Sequence, residues 1–168
     1  SKMMSFAECL TGHMNGGLGQ VNVVLSALMG GVSGSSNADA AMQAKMLVPE
    51  MMRRGYSKSF SAAVTAASAC ITPIIPPGIN LILYGFMAEV AVSKMFIAGY
   101  IPGIMITAAL MIVVAIESKR LGYGATRERA SGKEIWKQFL DSLWALFMPF
   151  GLIMGLRFGI FTASEAGS

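Results

Sequence analysis

Ser68-Ala69-Cys70-Ile71-Thr72-Pro73-Ile74-Ile75-Pro76-Pro77-Gly78-Ile79-Asn80 cuts an apolar, helix-patterned run with three prolines and a glycine. Each proline withdraws a backbone donor and collides with an earlier carbonyl, so the helix arriving from Phe60 ends here and another starts at Ile79. Lipid offers loose carbonyls and amides nothing to bond. Broken backbone at membrane depth therefore survives only where it lines protein or a water-filled cavity, which makes the break a candidate site. A second interruption, Gly30-Gly31-Val32-Ser33-Gly34-Ser35-Ser36-Asn37, lies upstream between two further apolar patterns and is rich in hydroxyl oxygens. Two breaks of this kind predict one binding centre.

The composition sets the medium. Of 168 residues 54% are hydrophobic and 13% charged, against a charged share of about 25% in soluble domains. Fourteen methionines and 19 glycines suit helices that approach closely in lipid. An unusually apolar soluble bundle is the competing reading; the length of the uncharged runs and the placement of charge speak against it. The net charge of +4 comes from basic residues in connectors, with no basic helix face interleaved with aromatics, so nucleic acid is not an expected partner. Cys9 and Cys70 both lie in apolar surroundings, have no metal-ligand spacing, and are expected to be packed thiols. No signal peptide opens the chain, and its end, at 161–166, reads as the first turn of a helix without a body; the sequence reads as a fragment.

Along the chain, residues 1–16 read as an amphipathic helix and a loop, the latter holding His13, the single histidine. Residues 17–52 read as a re-entrant hairpin: two apolar half-spans, each too short for a bilayer that needs about 20 residues, around the serine-rich tip. Ser36 or Asn37 is expected to cap the second half-helix. Asp39 in its first turn has two readings, a carboxylate facing the positive end of the helix dipole or a cation ligand. Residues 53–94 form a basic turn, the broken transmembrane helix and a nearly neutral turn. Residues 95–116 carry no charge and make about 33 Å of helix, the clearest span. The basic excess of 117–140 marks the cytoplasmic side, with an amphipathic helix around Trp136, and 141–168 reads as a further span and the start of a helix. Arg157, late in that span, is expected near the membrane boundary, snorkelling or paired with Glu165, rather than binding substrate.

Enzymatic chemistry finds no support in these residues. Gly31-Val32-Ser33-Gly34-Ser35 is not a nucleophile elbow, no histidine follows it, and no phosphate-binding loop occurs. Binding chemistry fits better: opposed half-helices aim positive ends at an anion while unwound carbonyls coordinate sodium. The candidate ligands for sodium and substrate are Ser33, Gly34, Ser35, Ser36 and Asn37 at the tip and Thr72, Pro73, Pro76, Pro77 and Gly78 at the break, with Asp39 and Asn80 as further possibilities.

Gly16-Gly17-Leu18-Gly19-Gln20-Val21-Asn22, Gly31-Val32-Ser33-Gly34-Ser35 with Ala38-Asp39-Ala40, the stretch from Pro49 to Gly55-Tyr56, Thr72-Pro73-Ile74-Ile75-Pro76-Pro77 and Gly159-Ile160-Phe161-Thr162 occur in that order. Together they resemble the large membrane subunit of tripartite ATP-independent periplasmic (TRAP) transporters, over nearly the whole chain. The resemblance implies an all-α polytopic inner-membrane protein of elevator type, of which this chain holds one half of an inverted repeat. It also implies symport of carboxylates, C4-dicarboxylate or sialic acid, with sodium as coupling ion and no other cofactor. The implied partners are a small membrane subunit, a periplasmic substrate-binding protein and the bilayer. Ser164 stands where the family usually has threonine. A one-component sodium/carboxylate symporter of the same superfamily and an anion channel are the alternative functions.

Overall fold

The computed structural model describes residues 2–30, 32–125, 128 and 130–142; the expectations for 143–168, Arg157 and Ser164 included, lie outside the described residues. All regular structure among them is helical. The order is α1 (Lys2–Thr11), α2 (Gly17–Gly30), α3 (Ser36–Arg53), α4 (Lys58–Ala69), α5 (Ile79–Met87) and α6 (Val92–Leu121), followed by helical residues at 132–142.

Helix α2 is the hub. Its residues are apolar on nearly every side, and a helix of that kind has to be enclosed on all of them. Val21 and Leu25 meet Met3 and Ala7 of α1 and Leu47 of α3. Val23 meets Val64 of α4, Ile71 and Val114 of α6. Leu18 meets Met51 and Tyr56 at the foot of α3. In a lipid surround, where acyl chains are as apolar as leucine, contacts of this kind stabilise through close packing and through the polar bonds between helices.

The hairpin of α2 and α3 closes at its open end on one residue. The amide of Gly16 donates to the Tyr123 carbonyl at 3.0 Å, fixing the start of α2 to the segment that follows α6. The amide of Ser57, just past α3, donates to the Tyr123 phenol oxygen at 2.9 Å. Tyr56 stacks on the same ring with centroids 4.4 Å apart. Gly16, at φ 72°, is held to glycine a second way, because a Cβ there would strike the Ser118 side chain.

Helix α6, at 30 residues, is the one described helix long and apolar enough to cross a membrane. Its outer face and that of α5 are coated with bulky apolar side chains, among them Phe86, Met87, Ile101 and Met105, which are 66–85% exposed. On its inner face Gly99 and Gly103, a G-x-x-x-G pair, admit the proline break. A Cβ at Gly99 would stand 2.7 Å from the Ile74 carbonyl oxygen, and one at Gly103 2.7 Å from Ile75 Cγ1. The break thus sits roughly 10–17 Å along α6 from its start, at 1.5 Å per residue, well inside the length of that helix.

Two details differ from the sequence reading. The cap of α3 is Ser35, whose hydroxyl accepts from the Ala38 amide; Ser36 and Asn37 lie inside the helix, because the backbone at Ser35 is still extended and turns helical one residue later. Cys9 is buried, but Cys70 is exposed. Cys70 follows the last turn of α4, where the chain turns into the break and its thiol points off the packed face.

Candidate functional site

Helix α4 ends where the prolines require. Ile74 and Ile75 amides both return to the Ile71 carbonyl, and the next backbone bonds are those of Leu81 and Ile82 to the Gly78 carbonyl, which open α5. Between them, no carbonyl from Thr72 to Pro77 accepts from a described backbone amide. The Pro76–Pro77 peptide is cis. The segment curls tightly, since a Cβ on Gly78 would strike the Pro73 carbonyl.

The hairpin tip lies against this open backbone. Gly34, at φ 57°, leaves only 3.0 Å between an ideal Cβ and the Pro77 carbonyl oxygen and 3.1 Å to the Ile79 amide nitrogen; Gly30 leaves 3.1 Å to the Thr72 carbonyl oxygen. Glycine is needed at both places because two stretches of backbone touch, and at Gly34 also because of its positive φ. The two interruptions are therefore one locus.

Beneath them is a buried carboxylate. Asp39 is 1% exposed. Its Oδ2 accepts from the Ser26 hydroxyl at 2.7 Å and the Thr72 hydroxyl at 2.8 Å. Its Oδ1 accepts from Gln43 Nε2 at 2.8 Å. The Gln43 amide also donates to the Ser26 hydroxyl oxygen, while Gln43 Oε1 is buried and has no hydrogen-bond partner among the described residues. No lysine or arginine among the described residues pairs with Asp39. The three described donors to this carboxylate are all neutral, and its oxygens are of the kind a hard cation takes as ligands.

The predicted residues divide by position. Gly34, Asp39, Thr72, Pro76 and Gly78 are buried at the contact; Ser33, Ser35, Ser36, Pro73 and Pro77 are half-buried around it; Asn37 and Asn80 face outward. The Ser33 hydroxyl donates to the Met29 carbonyl at 3.3 Å. Asp39 stands in the first turn of α3, with its side chain pointing to α2 and to Thr72 and its backbone amide bonded to the Ser35 carbonyl. Ser26 and Gln43 were not among the expected residues, although Ser26 was one of the few polar positions in an apolar helix. A second network, also unforeseen, joins α2 to α4. Asn22 Nδ2 donates to Thr65 Oγ1 at 2.8 Å, and the Ser68 hydroxyl donates to Asn22 Oδ1 at 2.7 Å. Gln20 Nε2 donates to the Met111 carbonyl of α6 at 2.8 Å. Among the described residues no cluster of histidine, cysteine and acidic side chains is arranged for a transition metal.

The family model for the DctM component of the tripartite ATP-independent periplasmic transporter matches residues 1–168. The chain belongs to this family. Among its relatives, the 2,3-diketo-L-gulonate TRAP transporter large permease protein YiaN of Escherichia coli K12 is 41% identical over 95% of the chain, which covers 37% of that protein. The sialic acid TRAP transporter permease protein SiaT of Haemophilus influenzae is 38% identical over 98% of the chain and 27% of its own length. The C4-dicarboxylate TRAP transporter large permease protein DctM of Rhodobacter capsulatus is 31% identical over 99% of the chain and 41% of its length. The DctM-family chain thus spans well under half of these curated relatives. Their names are those of transporter permeases, in keeping with a site built of oxygens and broken backbone rather than of nucleophiles and bases.

Proposed function

We propose that this chain is part of the large membrane subunit of a sodium-coupled TRAP transporter, and that the contact of the 33–37 tip with the 72–78 break is a sodium site that also meets a carboxylate substrate. The observation that carries the reading is that contact itself, with carbonyls from Thr72 to Pro77 that accept from no described backbone amide on one side, glycine-held tip backbone on the other, and the Asp39 carboxylate beneath. Unwound carbonyls of this kind suit a hard monovalent cation, and the start of α3 directs its positive end toward an anion. The diketogulonate, sialic acid and C4-dicarboxylate named in the relatives share a carboxylate, which supports a carboxylate as the substrate class.

Both ends of the α2–α3 hairpin meet at Tyr123 while its tip reaches the break alongside α6. That supports a re-entrant hairpin entering an inner membrane from the cytoplasmic side. A second hairpin and broken helix, supplied by the rest of a longer protein, would complete the inverted repeat, and the moving body would be of elevator type. The partners are a small membrane subunit and a periplasmic substrate-binding protein. Sodium titrations of uptake by the full-length transporter test the reading. Ser33→Ala, Thr72→Val and Pro76→Ala should each need more sodium for half-maximal uptake, with recovery at high sodium. Unchanged sodium dependence in all three correctly inserted variants would place the ion elsewhere.

A further inference from the structure

Helix α3 carries a lysine at its middle. Lys45 lies roughly 12–14 Å from either end of the helix at 1.5 Å per residue. Leu47, two residues on, packs on Val21 and Leu25 of α2, and Gln20 of α2 bonds to the Met111 carbonyl, so Lys45 stands level with the uncharged part of α6. It faces away from the core. Asp39, Gln43, Leu47 and Met51 make the buried stripe of α3, and Lys45 is exposed on the opposite side, in line with Ala41 and Ala38 toward the tip. None of the ion pairs among the described residues includes it.

A charge at that depth is costly against acyl chains, so an ionisable side chain inside a membrane turns to a partner or to a water-filled cavity. Escape along its own helix is unfavourable for Lys45. Side chains lean toward a helix N-terminus, here toward the tip and away from the Tyr123 junction at the foot of the hairpin. The surface around it is also unlike a lipid-facing one. Helix α4, which packs beside α3, turns Ser59, Ala62, Ala63, Ala66, Ala67 and Cys70 outward, whereas the flank of α5 and α6 presents Phe86, Met87, Ile101 and Met105. Small side chains leave room beside the lysine. The line from Lys45 through Ala41 and Ala38 ends next to Asn37, at the rim of the contact between tip and break.

We propose that the outer face of α3 lines a water-filled passage between the site and the foot of the hairpin, and that Lys45 draws the carboxylate of a substrate along it. Two partners would suit the lysine, the carboxylate of a passing substrate or an acidic side chain from the remainder of a longer protein. The first is favoured because the small-residue line leads from Lys45 to the site, which a structural ion pair would not need, and because a fixed charge beside water concentrates ions of opposite sign. The inference rests on the re-entrant hairpin and the carboxylate class proposed above. It makes no use of sodium coupling, so each can fail while the other stands.

The test uses the full-length transporter in nanodiscs, where both membrane faces meet the reagents, in a background lacking Cys9 and Cys70. The probes are anionic sulfonatoethyl and cationic trimethylammonioethyl methanethiosulfonate, each with and without sodium. Ala38→Cys and Ala41→Cys should react with both, and Ile101→Cys, on the bulky apolar flank, with neither. Adding Lys45→Gln to Ala41→Cys should lower the ratio of anionic to cationic rate about ten-fold at low ionic strength, since a unit charge about 6 Å away through water changes each rate roughly three-fold in opposite senses. The change at Ala38→Cys should be smaller. No reaction at either alanine position in either condition, with cysteines at Asn15 and Arg53 labelling from one side in vesicles, would overturn the passage and put protein, with an acid for Lys45, on this face. Reaction with a ratio unmoved by Lys45→Gln would overturn the role of the lysine. Labelling of Asn15 and Arg53 from opposite sides would remove the hairpin, and the inference with it.

Discussion

The bond from Thr72 to Asp39 makes a quantitative demand. Thr72 is fully buried, and its hydroxyl donates to Asp39 Oδ2 at 2.8 Å. Thr72→Val deletes that donor with little change of shape, and a hydrogen bond to an ionised group contributes about 1.5–3 kcal/mol net. Asp39→Asn has no sign fixed in advance: it weakens the bonds from Ser26 and Thr72, yet it also relieves the burial of an unpaired charge. A double-mutant cycle cancels that second effect. The coupling between Thr72→Val and Asp39→Asn should be about 1–2 kcal/mol, as for residues that share one network. Reversible unfolding of the full-length transporter in mixed detergent micelles, titrated with sodium dodecyl sulfate, gives the four free energies. Thr65→Val is the control, because Thr65 belongs to the separate Asn22 network and shares no partner with Asp39; its effect should add to that of Asp39→Asn within about 0.5 kcal/mol. A Thr72–Asp39 coupling no larger than this control would mean that the carboxylate does not hold the break to the hairpin.

Gly99→Ala should destabilise the protein by about 1–3 kcal/mol in the same unfolding measurement, because its Cβ meets the Ile74 backbone carbonyl, which has no side-chain freedom to yield; Gly132→Ala, in open space, should be close to neutral or stabilising. For the hairpin, single cysteines at Asn15 and Arg53, both exposed, should label from the same side of the membrane in a background lacking Cys9 and Cys70, and labelling from opposite sides would refute re-entry. Gly16 is unsuitable for that experiment, since any side chain there strikes Ser118. The Tyr123 phenol, drawn below its ordinary value of 10 by Ser57, should form phenolate in an ultraviolet titration at lower pH than a free tyrosine. Between its folded and unfolded values the unfolded chain binds more protons, so the junction gains stability as pH rises through that alkaline window and gains none near neutrality.

Much of this site was legible because prolines and glycines act on their own backbone. Pro73, Pro76 and Pro77 forbid a helix whatever surrounds them, and Gly30 and Gly34 announced a turn, so the break, the tip and their pairing could be read from the residues. The uncharged 95–116 run identified α6 for an equally local reason. Networks were less legible. Ser26, Gln43 and Thr72 converge on Asp39 only because of how α2 and α3 are rotated about their axes and how the chain leaves α4, and Asn22 finds Thr65 and Ser68 through the similar facing of α2 and α4. Of the polar residues of α2, Asn22 and Ser26 stand four apart on one face and Gln20 on the opposite side, a hint that they had partners but not which. The α3 cap moved by a residue because serines at both 35 and 36 can serve, and the backbone angles decide between them.

The polar residues of α2 have a consequence for how the chain is made. Asn22 must wait for Thr65 and Ser68, 43 and 46 residues later in synthesis, and Gln20 for the Met111 carbonyl, 91 residues later. Ser26 meets Asp39 after 13 residues, but the carboxylate needs Thr72, 33 residues further on. Until those segments emerge, lipid offers these groups nothing, and an early hairpin left in the bilayer would carry unsatisfied donors and a bare charge. The nascent hairpin therefore has reason to dwell at the translocon or the membrane surface and to enter together with α4, the break and α6. In the proposed re-entrant arrangement its insertion would be timed by the arrival of its hydrogen-bond partners rather than by its own hydrophobicity.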